Sequence, residues 1–283
     1  MDYIDPHIHM ISRTTDDYKN LAHMGCVAIS EPAFWAGFDR GTVECFHDYF
    51  RHLTEIEPRR AAQYGIKHHS WICMNAKEAE NVPLSREVLK IMPEFLEKPG
   101  VLGVGEIGLN KNTRNEATIF CEQVDLAARL DKLILIHTPH LEDKYQGTRM
   151  ILDMLKMDSR IEPHRVCVDH VEEHTIRMAA EAGYWYGMTL YPTTKCTPQR
   201  AADMVEIYGS DRVMVNSASD WGPSGPAVIR DFALEMKARG HSASLIRKVI
   251  FENPIRFFEQ SQGWTLSTSA KTKEEEIPEI AQA

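Results

Sequence analysis

The chain has 283 residues, 43% of them hydrophobic and 26% charged, and carries a formal net charge of −9 at pH 7. That length suits one large domain, and no apolar run approaches the ~18 residues that a membrane helix needs. The acidic balance disfavours broad attraction to nucleic acid, and no basic-then-apolar leader is readable, so a cytoplasmic protein without a membrane partner is expected.

Short apolar runs rich in β-branched and aromatic residues alternate with longer amphipathic stretches, the pattern of repeated βα units around a parallel sheet. Eight runs lie near residues 3–9, 25–30, 65–73, 101–106, 133–137, 165–170, 184–190 and 212–219. Eight in series predict an α/β fold of the (β/α)8 TIM-barrel type, whose catalytic residues gather at the carboxyl ends of the strands. Between the fourth and fifth runs, Phe120, Val124, Ala127 and Leu130 recur at helical spacing with Glu122, Asp125 and Arg129 opposite, which predicts a helix on the barrel's outer wall. Pro58 reads as the end of one helix, Pro83 as the approach to another, and Gly240 as a break, with a last helix near Ser244–Gln260. One domain is expected over residues 1–264. Residues 265–283 are a polar tail too poor in large apolar groups to offset its ordering entropy.

The first run carries His7 and His9, which a strand would project to one side where both rings can reach one ion. Glu106 closes the fourth run between glycines in Gly105-Glu106-Ile107-Gly108 and would face the same mouth, where it could bridge two ions. His137 ends the fifth run after four aliphatic residues, and His170 ends the sixth. His174, four residues further, is expected at the surface. Asp220 follows the eighth run and offers a second carboxylate. Singly each is compatible with a structural role. Jointly, histidines and acids at five strand ends point to a divalent-metal centre. The six cysteines are scattered without a Cys-x-x-Cys pair, and Cys26, Cys73, Cys121 and Cys167 sit among apolar neighbours as buried thiols rather than ligands.

These motifs together resemble the TatD-related metal-dependent hydrolases of the amidohydrolase superfamily over about residues 1–260, with wording closest to the EboB-type branch. Asp5-Pro6-His7-Ile8-His9 is similar to the family's opening motif, Gly105-Glu106-Ile107-Gly108-Leu109 to its strand-four motif, and Leu135-Ile136-His137 to its strand-five segment. Asn253-Pro254-Ile255-Arg256-Phe257-Phe258 is similar to its closing motif. The resemblance implies that His7 and His9 hold one ion with Glu106 and Asp220, while Glu106 also binds a second ion held by His137 and His170. It implies a pair of divalent ions, Zn, Mn, Fe, Co, Ni or Mg, that activates water, with Glu106 and Asp220 catalytic and Asp220 accepting the proton.

The departures bear on substrate. The DNase members have His-x-Arg where this chain has His137-Thr138-Pro139, so a guanidinium that could fork onto phosphate is missing. Glu172 and Glu173 near the mouth would repel a polyanion. Asp220 meets the family's strand-eight acid only with a two-residue shift. Other residues near strand ends that could shape a substrate pocket are Glu31, Trp35, His140, Tyr191, Lys195 and Trp221, with Lys195 suited to an anionic group. Three functions follow: a hydrolase acting on a small ester, amide, lactone or phosphoester, which is favoured; a TatD-type deoxyribonuclease trimming DNA 3′ to 5′; and a metal-stapled binding or scaffold protein without turnover. A small molecule is the favoured partner over nucleic acid, and the oligomeric state is open.

Overall fold

The computed structural model describes residues 1–139, 142–191 and 193–266. Eight strands, β1 (Tyr3–Asp5), β2 (Cys26–Pro32), β3 (Lys67–Ile72), β4 (Val101–Gly108), β5 (Leu133–His137), β6 (Val166–Asp169), β7 (Trp185–Thr189) and β8 (Val213–Asn216), pair in parallel in sequence order. Helices alternate with them, giving the expected (β/α)8 TIM barrel. The seam between β8 and β1 is stitched just beyond the strands. Ser217 donates from N–H (3.2 Å) and hydroxyl (2.6 Å) to the carboxylate of Asp5. Ala218 N–H donates to the carbonyl of His7 at 2.7 Å, and His9 N–H to that of Ser219 at 2.9 Å.

Strand β1 is shorter than the periodicity predicts and stops before both histidines. Pro6 lacks an N–H, and the N–H of His7 turns to the Asp5 side chain at 3.2 Å, so the ladder cannot simply continue. Backbone pairing then resumes at Ile8, whose N–H donates to Ser30 at 3.1 Å.

The wall helix runs Arg114–Arg129 and starts with a capping box in which Thr113 and Glu116 satisfy each other's backbone N–H. Its Phe120, Val124 and Ala127 are buried as expected, and truncation of such a phenylalanine to alanine costs about 3–5 kcal/mol. Pro58 does not end a helix, contrary to expectation. The path from Val43 to Ala62 is continuous through a π-turn at His52–Ile56, and Pro58 follows that wider turn, which spares a missing N–H. The same device recurs at Lys248–Glu252 ahead of Pro254, inside the last helical stretch. Cys121 is exposed rather than buried, against Met154 on the neighbouring helix at 3.6 Å; Cys26, Cys73 and Cys167 are buried free thiols. No helix among the described residues is long and apolar enough to cross a membrane.

Candidate metal centre

Four strand ends deliver imidazoles and a carboxylate to one point. Glu106, on β4, presents Oε2 to Nδ1 of His137 at 3.0 Å, Nε2 of His170 at 3.2 Å and Nε2 of His7 at 3.8 Å. Nε2 of His9 faces Nε2 of His7 at 3.0 Å. Two nitrogens that far apart, each about 2.05 Å from a shared cation, subtend about 95° at it, which is acceptable for a divalent ion. Among the described residues, His7–His9–Glu106, Glu106–His137–His170 and His7–Asp169–His170 each gather three ligand atoms within 4.8 Å of one another, all buried. Imidazole and carboxylate without thiolate is the donor set of borderline to hard divalent cations, so the residues fit such an ion.

A second layer aims these rings, and it comes from β6, β7 and β8. Asp169 accepts from Nδ1 of His7 at 2.5 Å, which fixes the tautomer and leaves Nε2 the atom that could ligate an ion. The other oxygen of Asp169 accepts from the side-chain amide of Asn216 at 2.8 Å and from the N–H of His170 at 2.7 Å. His170 sits in the left-handed region at φ 59°, a conformation that the Asp169 contact helps to hold. Its Nδ1 lies 2.6 Å from the hydroxyl of Thr189, which bonds onward to Asn216 Oδ1 at 2.9 Å. Gly187 makes room for this network, because a Cβ there would come within 2.2 Å of Asp169 Oδ1.

Burial alone would raise the Glu106 carboxyl, but the imidazoles of His137 and His7 and hydrogen bonds from the rings hold it well below the ordinary carboxylate range. Burial and the neighbouring His7 push His9 well below the usual histidine value, while burial and Lys195 do the same to His170. His7 moves the other way: burial would lower it, but Glu106 and Asp169 raise it. His9 and His170 are thus the rings held neutral beside an ionised carboxylate, as ligation requires. Lys195 is lowered to about 8, chiefly by burial against the partly compensating charges of Glu106 and Asp169.

The cluster floors a cavity of about 250 Å³. Trp35, Tyr191, Lys195 and Trp221 line it as the sequence led us to expect; Asp220, expected among the ligands, lines it too, and Phe34, Asn75 and Lys77 join them. Lys195 reaches the Glu106 cluster itself, its ammonium 3.0 and 3.3 Å from the two ring nitrogens of His170. Asp220 belongs to none of the three ligand groups. Its Oδ1 accepts from the Tyr191 hydroxyl at 3.1 Å and from the N–H of Gly222 at 2.7 Å, which places it on the cavity wall beside the cluster. Glu31 is fully buried and does not line the cavity: it accepts from the N–H of Ile11 at 2.7 Å and pairs with Nε2 of His68 at 2.7 Å. His140 lies outside the described residues, and His174 is exposed as expected. Glu172 and Glu173 are not free charges. Lys144 meets Glu172 at 2.9 Å and Arg200 meets Glu173 at 2.5 Å, so their repulsion of a polyanion is largely neutralised.

Asp169 was missed as a functional residue, although a carboxylate immediately before a strand-end histidine was the available signal. Thr189, Asn216 and Phe34 carried none, being ordinary strand and loop residues in sequence.

Residues 4–259 match the family model described as TatD related DNase. An uncharacterized metal-dependent hydrolase of Methanocaldococcus jannaschii is 28% identical over 222 residues, spanning 77% of this chain and 84% of that protein. A TatD-like protein from Archaeoglobus fulgidus superposes with a TM-score of 0.74 at 26% identity, covering 91% of this chain and 100% of the other. The phosphotriesterase homology protein of Escherichia coli, solved with phosphate in its active site, shares the fold with a TM-score of 0.68 at 13% identity, over 91% of this chain and 98% of that one.

Proposed function

Because the chain belongs to the TatD-related family of metal-dependent hydrolases, we propose that it hydrolyses a small ester, amide, lactone or phosphoester at a divalent-metal centre held by His7, His9, Glu106, His137 and His170. The observation that carries this reading is the convergence of four imidazoles and one carboxylate, all but His7 lining a cavity of small-molecule size. Bound divalent ions supply Lewis acidity and make a water acidic enough to lose its proton near neutral pH.

The chain's own groups do the rest. Asp169 and Thr189 hold the rings of His7 and His170 against rotation, so the ligand nitrogens are set before substrate arrives. Asp220, fixed on the wall by Tyr191 and Gly222, is the group we assign to take a proton from the attacking water and return it to the leaving group. Lys195 supplies a cation beside the centre for an oxyanion on the substrate. The small-molecule preference is supported by the cavity's size and by Pro139 standing where an arginine would serve a phosphodiester chain. A nuclease is the second reading, favoured by the family's description and by the pairing of Glu172 and Glu173 with Lys144 and Arg200.

Anomalous scattering and elemental analysis of purified protein, followed by a panel of esters, lactones and phosphoesters, test the proposal. Divalent ions beside His9 and Glu106, with turnover abolished by chelation and restored by metal, are expected. Full turnover in stripped protein would sink it. Trimming of single-stranded DNA by the Mn-loaded protein at rates exceeding the whole panel would select the nuclease.

A further inference from the structure

The cavity has two unlike ends. Its floor is the polar cluster; its outer wall is aromatic. Phe34 stacks on the ligand His9 with ring centroids 3.9 Å apart and planes 14° from parallel, Trp221 lies 5.4 Å beyond Phe34, and Trp35 lies 6.0 Å from Trp221. Trp221 is 50% exposed, so half of the largest apolar side chain available is left facing water at the mouth of the site. A flat ligand stacked there would take that apolar area out of water.

The two loops carrying these rings are braced from behind. Arg40 holds the first, through an ion pair with Glu78 at 2.6 Å, a backbone bond to Glu78 at 2.8 Å and a guanidinium bond to the carbonyl of Phe34 at 3.2 Å. Tyr49 adds a bond from the N–H of Phe34 to its hydroxyl at 3.0 Å. Arg13 holds the second loop by donating to the carbonyl of Asp220 at 2.6 Å. A preorganised wall costs little to use in binding. Two cations flank it: Lys77 sits 4.5 Å over the Trp35 ring at the outer end, and Lys195 lies beside His170 at the inner end.

We propose that Phe34, Trp35 and Trp221 form one wall of a slot, on which a planar ring stacks, and that Lys195 reads an oxyanion on the same molecule, so that the preferred substrate is a small aromatic or heteroaromatic compound bearing an anionic hydrolysable group. This deepens the hydrolase reading and rests on it. Lys77, over the Trp35 ring, would favour further negative character at the outer rim.

The test uses two hydrolysis-resistant probes, phenylphosphonate and methylphosphonate, titrated calorimetrically into the zinc-loaded full-length protein. Wild type should bind the phenyl compound at least about tenfold more tightly. Trp221→Ala should shrink that ratio below about threefold, and Trp221→Phe should restore most of it. Lys195→Gln should weaken both phosphonates by a similar factor, because it reads the oxyanion and not the ring. Equal affinity of the two probes for wild type overturns the slot and leaves the hydrolase standing. If neither phosphonate binds to protein shown to contain zinc, the slot and the Lys195 oxyanion site fall, while the hydrolase reading stands or falls on metal-dependent turnover of the ester, lactone and phosphoester panel. Tighter binding of a tetrathymidylate than of phenylphosphonate, lost in Trp221→Ala, would overturn the small-molecule slot and give the wall to a nucleobase. Circular dichroism melts of each variant separate these outcomes from misfolding, which a half-exposed tryptophan should not cause.

Discussion

Two buried clusters of imidazoles and carboxylates lie within a few strands of each other, and they have opposite designs. Around Glu31 the bonds close on themselves: Ile11 N–H and His68 occupy its two oxygens, and nearby Glu57 takes the Tyr18 hydroxyl at 2.7 Å, Arg60 at 2.6 Å and His52 at 2.9 Å. Only Nδ1 of His68 is without a partner among these side chains. Around Glu106, by contrast, three rings crowd one carboxylate oxygen and two ring nitrogens meet face to face, on the floor of a cavity. The first cluster has a donor for each acceptor. The second has more lone pairs converging than protons to share, an arrangement completed by a cation. A buried His–Glu pair alone therefore says little, and the balance of donors against acceptors says which kind it is.

The same substitution made in both clusters should separate them most sharply. Burial and the neighbouring Glu57 raise the Glu31 carboxyl well above its usual value, and burial lowers His68 to about 4, so a proton shared by the pair rests on the carboxyl. Glu31→Gln can then donate to His68 and accept from Ile11 as before, and should change stability by less than about 1 kcal/mol with metal content intact. Glu106→Gln should remove most bound metal and lower kcat/KM by roughly 10³-fold or more. Metal analysis, urea denaturation and steady-state kinetics on the two proteins read the contrast. Metal loss in Glu31→Gln would break it.

Smaller, and within the metal cluster, is the effect of the supporting layer. Asp169→Asn keeps the shape but replaces the acceptor that orients His7, and should weaken metal affinity by about 10–100-fold without unfolding the protein. Competition with a chelator of known affinity measures it, and an unchanged constant would demote Asp169 to packing.

The smallest effect concerns an imidazole outside both clusters. His69 is buried with no carboxylate at its ring among the described residues; Trp264 stacks on it at 4.2 Å, and the N–H of Thr265 donates to its Nε2 at 3.2 Å. Burial, with His68 beside it, lowers its pKa to about 3 against about 6.5 in an unfolded chain. Between those values the unfolded state binds the extra proton, so stability rises with pH through this window and is lost as pH falls, by about 1.4 kcal/mol per pH unit for one proton. Urea melts between pH 4.5 and 7 should show a shallower pH slope in His69→Gln than in wild type. An identical slope would mean that the ring is already charged or already solvated.

Much of the fold was legible because the βα alternation is written in local periodicity, and each of the eight apolar runs overlaps an observed strand. His7, His9, Glu106, His137 and His170 were legible for the related reason that a strand-end position in a barrel has one mouth to face. The end of β1 at Asp5 was not, since it depends on Pro6 and on the pull of the Asp5 side chain. Glu31 looked like a pocket residue by its place near a strand end, yet tertiary packing seals it against His68 on the next strand.

The sequence by itself determined which elements form, in what order, and which ligand chemistries arrive at the strand ends, because propensity, hydrophobic period and donor type are properties of a few neighbouring residues. Tertiary structure alone decided that Asp169 aims His7 from 162 residues away, that Asp220 stands beside the ligand cluster, and that Phe34, Trp35 and Trp221 meet in one wall. Those relations depend on barrel closure, which brings β1 against β8 and places β6 across from β1. No local segment carries the information for a distance that exists only once the sheet has curved round on itself.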